Sequence, residues 1–157
     1  MKTLADAFHH TLKDIYYAEK AIVKAGPKLA KAATDADLKA AIEAHVEETR
    51  QQIEMLEGVF RTIGEKPEGE KCDAIVGLIK EAEGIVEEAE GVALNAALLG
   101  ALQAIEHYEI ARYGTLRQWA EVMGEPIARD QLTRILDMEK AANAAMTGLA
   151  VKQINAA

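Results

Sequence analysis

Four long stretches of this chain repeat an apolar residue at alternating steps of three and four, and they form two pairs held apart by residues 64–91. That spacing is the period of a helix with one buried face. The first stretch runs over about residues 3–33 on Leu4, Phe8, Leu12, Ile15, Ile22 and Leu29. A bend is expected at Pro27, whose ring clashes with the preceding turn. The second follows Thr34, Asp35 and Asp37, each able to cap a helix, and continues on Leu38, Ile42, Leu56, Phe60 and Ile63 until Gly64 stops it. The third spans about 92–123 and the fourth about 127–153, the latter on Leu132, Leu136, Met146 and Ala150. Turns as short as 34–37 and 124–126 make hairpins. Two hairpins joined by one long connection give an all-α four-helix bundle with a long crossover, because an up-down-up-down bundle needs no such connection. The crossover carries the loop GEKPEGEK (64–71) and a short amphipathic helix over about 72–89, with Ile75, Leu78, Ile79, Ala82 and Ile85 on its apolar face. Residues 1–157 read as a single domain, long enough for a sizeable core.

Composition narrows what such a bundle can do. A net charge of −8 argues against a nucleic-acid-binding face and against adhesion to anionic membranes. The most apolar run, GVALNAALLGALQAI (91–105), is too short to span a bilayer and is interrupted by Asn95 and Gln103. The single cysteine, Cys72, cannot form an intrachain disulfide and fits a reducing compartment. The start MKTLADAFHHTLKD has no continuous apolar core of the kind a secretory leader carries. A cytoplasmic protein is expected.

The inner stripes are not purely apolar. On a helical wheel Glu19 falls inside the first stripe, His45 at the centre of the second with Glu48 at its edge, Glu109 at the centre of the third with Glu106 on its flank, and Glu139 at the centre of the fourth. A carboxylate buried without a partner costs several kcal/mol or stays protonated. Four or more at one level of a bundle require neutralising charge. No lysine or arginine is central on these stripes, and only Arg112, one turn from Glu109, comes near. Two divalent cations would supply the missing charge, with the carboxylates and a neutral imidazole as ligands. Spacing adds a second argument, since Glu19 and Glu48 lie 29 residues apart and Glu109 and Glu139 lie 30 apart. Each hairpin can thus bring its pair to a common level.

The stretches LKDIYYAEKAI, HVEETRQQIEML, GEKCDAIVGLIKEAE and IEHYEIARYGTLRQWA resemble the YciF-type family of bacterial stress-response proteins, within the ferritin-like superfamily. The likeness extends over nearly the whole chain. It implies a ferritin-like bundle, often dimeric, with a dinuclear site for two iron or manganese ions. Carried over, Glu19 matches the superfamily's glutamate on the first helix, and Glu139 the glutamate on the fourth. Glu106 and Glu109 resemble the third helix of rubrerythrins, which carries an extra glutamate. Two departures stand out. Ferritin-like proteins place a glutamate three residues before a histidine on the second helix, whereas here His45 precedes Glu48. On the fourth helix Ala142 and Asn143 stand where a histidine is usual.

Two functions from different classes follow. The first is a dinuclear carboxylate protein acting on oxygen, peroxide or iron, as a peroxidase or ferroxidase would. The second is a non-catalytic interaction bundle whose metal site is vestigial, its carboxylates neutralised by protonation, Arg112, Thr49, Gln52 and buried water. His45 as a core histidine bonded to Thr49 or to a glutamate is the plain alternative to ligation. His107 points about 160° from Glu109 and belongs to the surface. His9 and His10 also face outward. Tyr16, Tyr17, Tyr108 and Tyr113 are expected as packing residues whose hydroxyls reach polar groups, and Cys72 as an inert thiol. Gly100, Ala104, Ala111 and Gly114 make a small-residue outer face on the third long helix, to be covered by the 72–89 helix or by a second copy of the chain in a homodimer.

Overall fold

Thr3 opens the first helix with a reciprocal cap: its hydroxyl accepts from the Asp6 N–H, and the Asp6 carboxylate accepts from the Thr3 N–H. In the computed structural model, which describes residues 1–156, this helix, α1, covers Leu4–Ala32. It is followed by α2 (Ala36–Thr62), α3 (Asp73–Glu88), α4 (Gly91–Met123), α5 (Pro126–Lys152) and a terminal 3-10 turn, Ile154–Ala156. No strand occurs among the described residues. Of the three candidates for the cap of α2 it is Asp35 that serves, its carboxylate accepting from the N–H groups of Asp37 and Leu38. Pro27 lies on the exposed side of α1 and does not end it; the helix continues to Ala32. The α4–α5 turn depends on Gly124, whose φ of 73° is left-handed, and Pro126 then sits at the first turn of α5, where its missing N–H costs nothing.

Around the bundle the neighbours are α1 with α2, α2 with α5, α5 with α4, and α4 with α1. The long crossover lays α3 over α1 and α4, so the bundle has the expected ferritin-like arrangement of two hairpins. Two apolar clusters fill it. One joins Phe8, Leu12, Leu56, Phe60, Leu116 and Leu132; the other joins Leu29, Leu38, Ile42, Leu98, Leu102 and Met146. At their boundary lie the buried polar residues Glu19, His45, Thr49, Gln52, Glu106, Glu109 and Glu139. The α3 helix does not cover the small-residue face of α4. Gly100, Ala104 and Ala111 are exposed, and nothing lies within 4 Å of where a Cβ would stand at Gly100 or Gly114.

The α1–α2 contact is close at Gly26. A Cβ there would clash with Cγ2 of Val46, a β-branched side chain with little rotameric freedom. Gly26→Ala is therefore expected to destabilise the protein by about 1–3 kcal/mol in denaturant titrations. Adding Val46→Ala should recover most of that loss, and an additive double variant would place the cost elsewhere.

Candidate metal centre

The same periodicity that drives each helix into the core delivers polar side chains to one level. Glu19 on α1, Glu109 on α4 and Glu139 on α5 are fully buried, Glu106 on α4 is 1% exposed and His45 on α2 is 6% exposed. They form two overlapping groups, His45 with Glu106 and Glu139, and Glu19 with Glu109 and Glu139. Within each group the candidate ligand atoms all lie within 4.8 Å of one another. Glu139 belongs to both. All four bundle helices contribute, and the structure brings together five of the six residues singled out in the sequence.

The sixth, Glu48, belongs to neither group and is only half-buried. Three residues beyond His45, it is rotated about 60° round α2 and about one turn further along it, which puts it beside the alanines of α5 that face the α2–α5 groove. Its charge still raises the pKa of Glu106 and Glu139. Arg112 does not supply counter-charge. It lies over the Tyr108 ring, 5.3 Å from the centroid. Among the described residues no lysine or arginine pairs with any of the four buried glutamates.

Few hydrogen bonds reach these carboxylates. Tyr113, buried one turn after Glu109, donates its hydroxyl to Oε1 of Glu19. Gln52 Nε2 donates to Oε1 of Glu139 at 2.5 Å. Nδ1 of His45 lies 3.2 Å from Oε1 of Glu106 but outside hydrogen-bonding geometry. The Thr49 hydroxyl is committed to the His45 carbonyl at 2.8 Å and so neutralises nothing. With all four ionised, no donor reaches Oε2 of Glu19, Glu106 or Glu139, or either oxygen of Glu109. Since more than nine in ten buried polar groups in proteins find a partner, five such oxygens at one level mark the cluster as a candidate metal site.

Titration behaviour follows from this dry setting. Burial, reinforced by Glu139, Glu19 and Glu48, raises Glu106 to about 10; burial also raises Glu139 to about 7, against the opposing hydrogen bonds from Glu106 and Gln52. Glu19 and Glu109 move in the same direction, again chiefly through burial. Burial lowers His45 to about 4, so its imidazole is neutral at pH 7 with a lone pair free to donate. This donor set of hard oxygens and one imidazole fits divalent iron or manganese, and two such cations balance four ionised carboxylates.

Two residues that the sequence offered in lesser roles, Gln52 as a neutralising partner and Tyr113 as a packing residue whose hydroxyl reaches a polar group, both donate to the cluster. Tyr113 falls four residues after Glu109 on the same face, and Gln52 seven after His45, so helical spacing was the signal in both cases. Other expectations hold: His107 is exposed, and Tyr16 donates to Glu57 at 2.9 Å. Cys72 is buried at the cap of α3, 3.0 Å from the Tyr108 hydroxyl, in a structural position.

Residues 3–157 match a family described as a domain of unknown function, DUF892. The chain belongs to that family. It is 43% identical over 157 residues to Protein YciF of Escherichia coli strain K12, an alignment covering 99% of this chain and 95% of that relative. The crystal structure of the E. coli stress protein YciF superposes with a TM-score of 0.95 over 99% of both chains. YcfI of Rhodopseudomonas palustris, 50% identical, superposes with a TM-score of 0.90 over 93% of this chain and 94% of its own. A protein of Xanthomonas campestris at 22% identity and a TM-score of 0.79 shares the fold. The resemblance seen in the sequence is thereby shown, together with the helical-bundle fold. No helix among the described residues is long and apolar enough to cross a membrane.

Proposed function

We propose that this DUF892 chain is a dinuclear metal-carboxylate protein that holds two iron or manganese ions between its apolar clusters and acts on oxygen, peroxide or iron in a stressed bacterial cell. The observation that carries this reading is the set of orphan carboxylate oxygens on Glu19, Glu106, Glu109 and Glu139. The stress-protein designation of the E. coli relative supports the cellular context. His45 would complete one half of the site with Glu106, and Glu19 and Glu109 would form the other, with Glu139 common to both. Tyr113 and Gln52 fix the carboxylate oxygens they donate to and leave the others turned inward. Iron or manganese, when bound, would supply one-electron redox chemistry. The surrounding leucines and isoleucines exclude bulk water from it. The uncovered face of α4 supports a homodimer as the working form.

One observation favours a second reading, a structural bundle with a vestigial site. His45 is the lone nitrogen donor in the cluster, and Ala142 fills the position usual for another on α5. The R. palustris relative carries the designation of a proposed structural protein. Elemental analysis separates the two. Protein purified without chelator should carry about two iron or manganese ions per chain, and Glu109→Ala with Glu139→Ala should carry none. Absence of metal in both, even after anaerobic Fe(II) loading, would leave the structural reading standing.

A further inference from the structure

The cluster is reached from outside by two different routes. Between α2 and α5 a groove of about 220 Å³ is lined by five alanines (Ala41, Ala44, Ala141, Ala142 and Ala145) and Met146, with Glu48 and the buried His45 also on its wall. Between α1 and α3 a larger groove, of about 590 Å³, is lined by Lys24, Lys28 and Lys80. Below it a small, mostly apolar cavity of about 20 Å³ touches His45 and Glu106.

These routes differ in sign and bore. A divalent cation approaching the α1–α3 groove meets three ammonium groups, of which only Lys28 is paired, with Glu83 at 3.2 Å. It then meets Ile22, Leu29, Ile79, Leu102 and Ile105, which offer no oxygen before Glu106. On the other side the alanines leave an opening where larger side chains would seal the α2–α5 seam. The one ionisable group on the way is Glu48, outside both ligand groups but close enough for its charge to act on Glu106 and Glu139. The groove wall includes a histidine that is 6% exposed and whose Nδ1 has no hydrogen-bond partner. The missing nitrogen ligand on α5 and the opening are the same feature, since Ala142 lines the groove.

On the basis of the metal reading above, we propose that the alanine-lined α2–α5 groove is the port through which divalent cations reach the cluster, with Glu48 as the relay carboxylate that passes them to His45. Glu48 then acts on the rate of loading and leaves the final stoichiometry alone. A negative group in a low-dielectric cleft raises the local cation concentration and the association rate.

The test follows anaerobic uptake of Co(II) by the full-length metal-free protein in stopped flow, through visible absorbance, together with the final Co(II) content. Ala44→Phe with Ala145→Phe, both at exposed positions of the groove, should slow uptake about tenfold or more, and Glu48→Gln should slow it about threefold or more and weaken its salt dependence. Ala21→Phe, which fills the α1–α3 groove instead, should load at the wild-type rate. All four proteins should reach the same final content. The isosteric Glu48→Gln keeps the test decisive should the phenylalanine variant fold poorly. Wild-type loading rates in the plugged variant at unchanged final content would overturn the port while leaving the metal reading intact. Loss of one ion in Glu48→Gln would make Glu48 a resident ligand and overturn its relay role. A wild-type protein that takes up no Co(II) would overturn both readings.

Discussion

Replacing Glu139 with alanine is expected to strip the protein of both metal ions, whereas Glu19→Ala or His45→Ala should each remove one. The asymmetry comes from geometry. Glu139 is the only residue present in both ligand groups; Glu19 and Glu109 complete one of them, His45 and Glu106 the other. Losing it deprives each half of a carboxylate and removes one of the four negative charges that two cations balance. Elemental analysis of the three variants should read near zero for Glu139→Ala and about one ion per chain for the other two, against about two in the wild type. Equal losses in all three would mean that the halves fill only together. Loss of a single ion in Glu139→Ala would show that it is not shared.

The fold of the Glu139 variant should survive. Without metal, Glu139 is a buried carboxyl held by hydrogen bonds to Gln52 and Glu106. Removing such a group leaves the Gln52 amide short of a partner but relieves the burial of an ionisable side chain in the same step. The resulting change in metal-free stability is the small difference of two opposed effects of about 1–3 kcal/mol each. Metal content and folding therefore separate cleanly in this variant, which makes it a better probe than truncating a leucine of either apolar cluster.

Much of this site was legible in the sequence because helices are periodic. Once Phe8, Leu12 and Ile15 set the phase of α1, the inward position of Glu19 followed from geometry, and the same held for His45, Glu109 and Glu139. Glu106 and Glu48 sat on the flanks of their stripes, where a 3.6-residue period cannot say which side is covered. Packing decided. The Glu106 flank came to be 1% exposed, whereas Glu48 fell on the α2–α5 groove. The division of five residues into two triads with one member in common is a property of how four helices meet, and no single stripe carries it. Nor did the wheel say that Arg112 would turn to Tyr108 and leave Glu109 with no partner for either oxygen. The small-residue face of α4 was legible as a surface, but a sequence cannot show that α3 packs beside it and leaves it open.

The opposed pH dependence of metal-free and metal-loaded protein is the other large expected effect. In the metal-free protein each buried glutamate has its pKa raised from an ordinary value of 4.5, Glu139 to about 7 and Glu106 to about 10. Above pH 4.5 the unfolded chain has released protons that the folded chain still holds, so stability falls as pH rises, and goes on falling until each folded pKa is passed. His45 acts with the opposite sign. Its pKa is lowered from 6.5 to about 4, so the unfolded chain binds the extra proton, and stability from this group rises between those values and then levels off. Above pH 6.5 the carboxyls act alone. A shift of the size of Glu139's corresponds to about 3 kcal/mol. Glu139 alone should accordingly lower the melting temperature of the metal-free protein by on the order of 10 °C between about pH 5 and pH 8, and the other buried glutamates add to that drop. Metal reverses this trend, because its ligands must be ionised and binding strengthens as protons leave. With free metal at about a hundred times the dissociation constant, stabilisation is about 2.7 kcal/mol per site. At pH 8 the loaded protein should melt well above the metal-free one, and at pH 5 the two should converge. Glu109→Gln, which puts a neutral amide where neither carboxylate oxygen has a partner, should flatten the metal-free profile. Differential scanning calorimetry across this range, with and without Mn(II), reads both curves. A metal-free protein more stable at pH 8 than at pH 5, unmoved by Mn(II), would mean that water or protein groups already satisfy these carboxylates, and that the cluster has no cations to wait for.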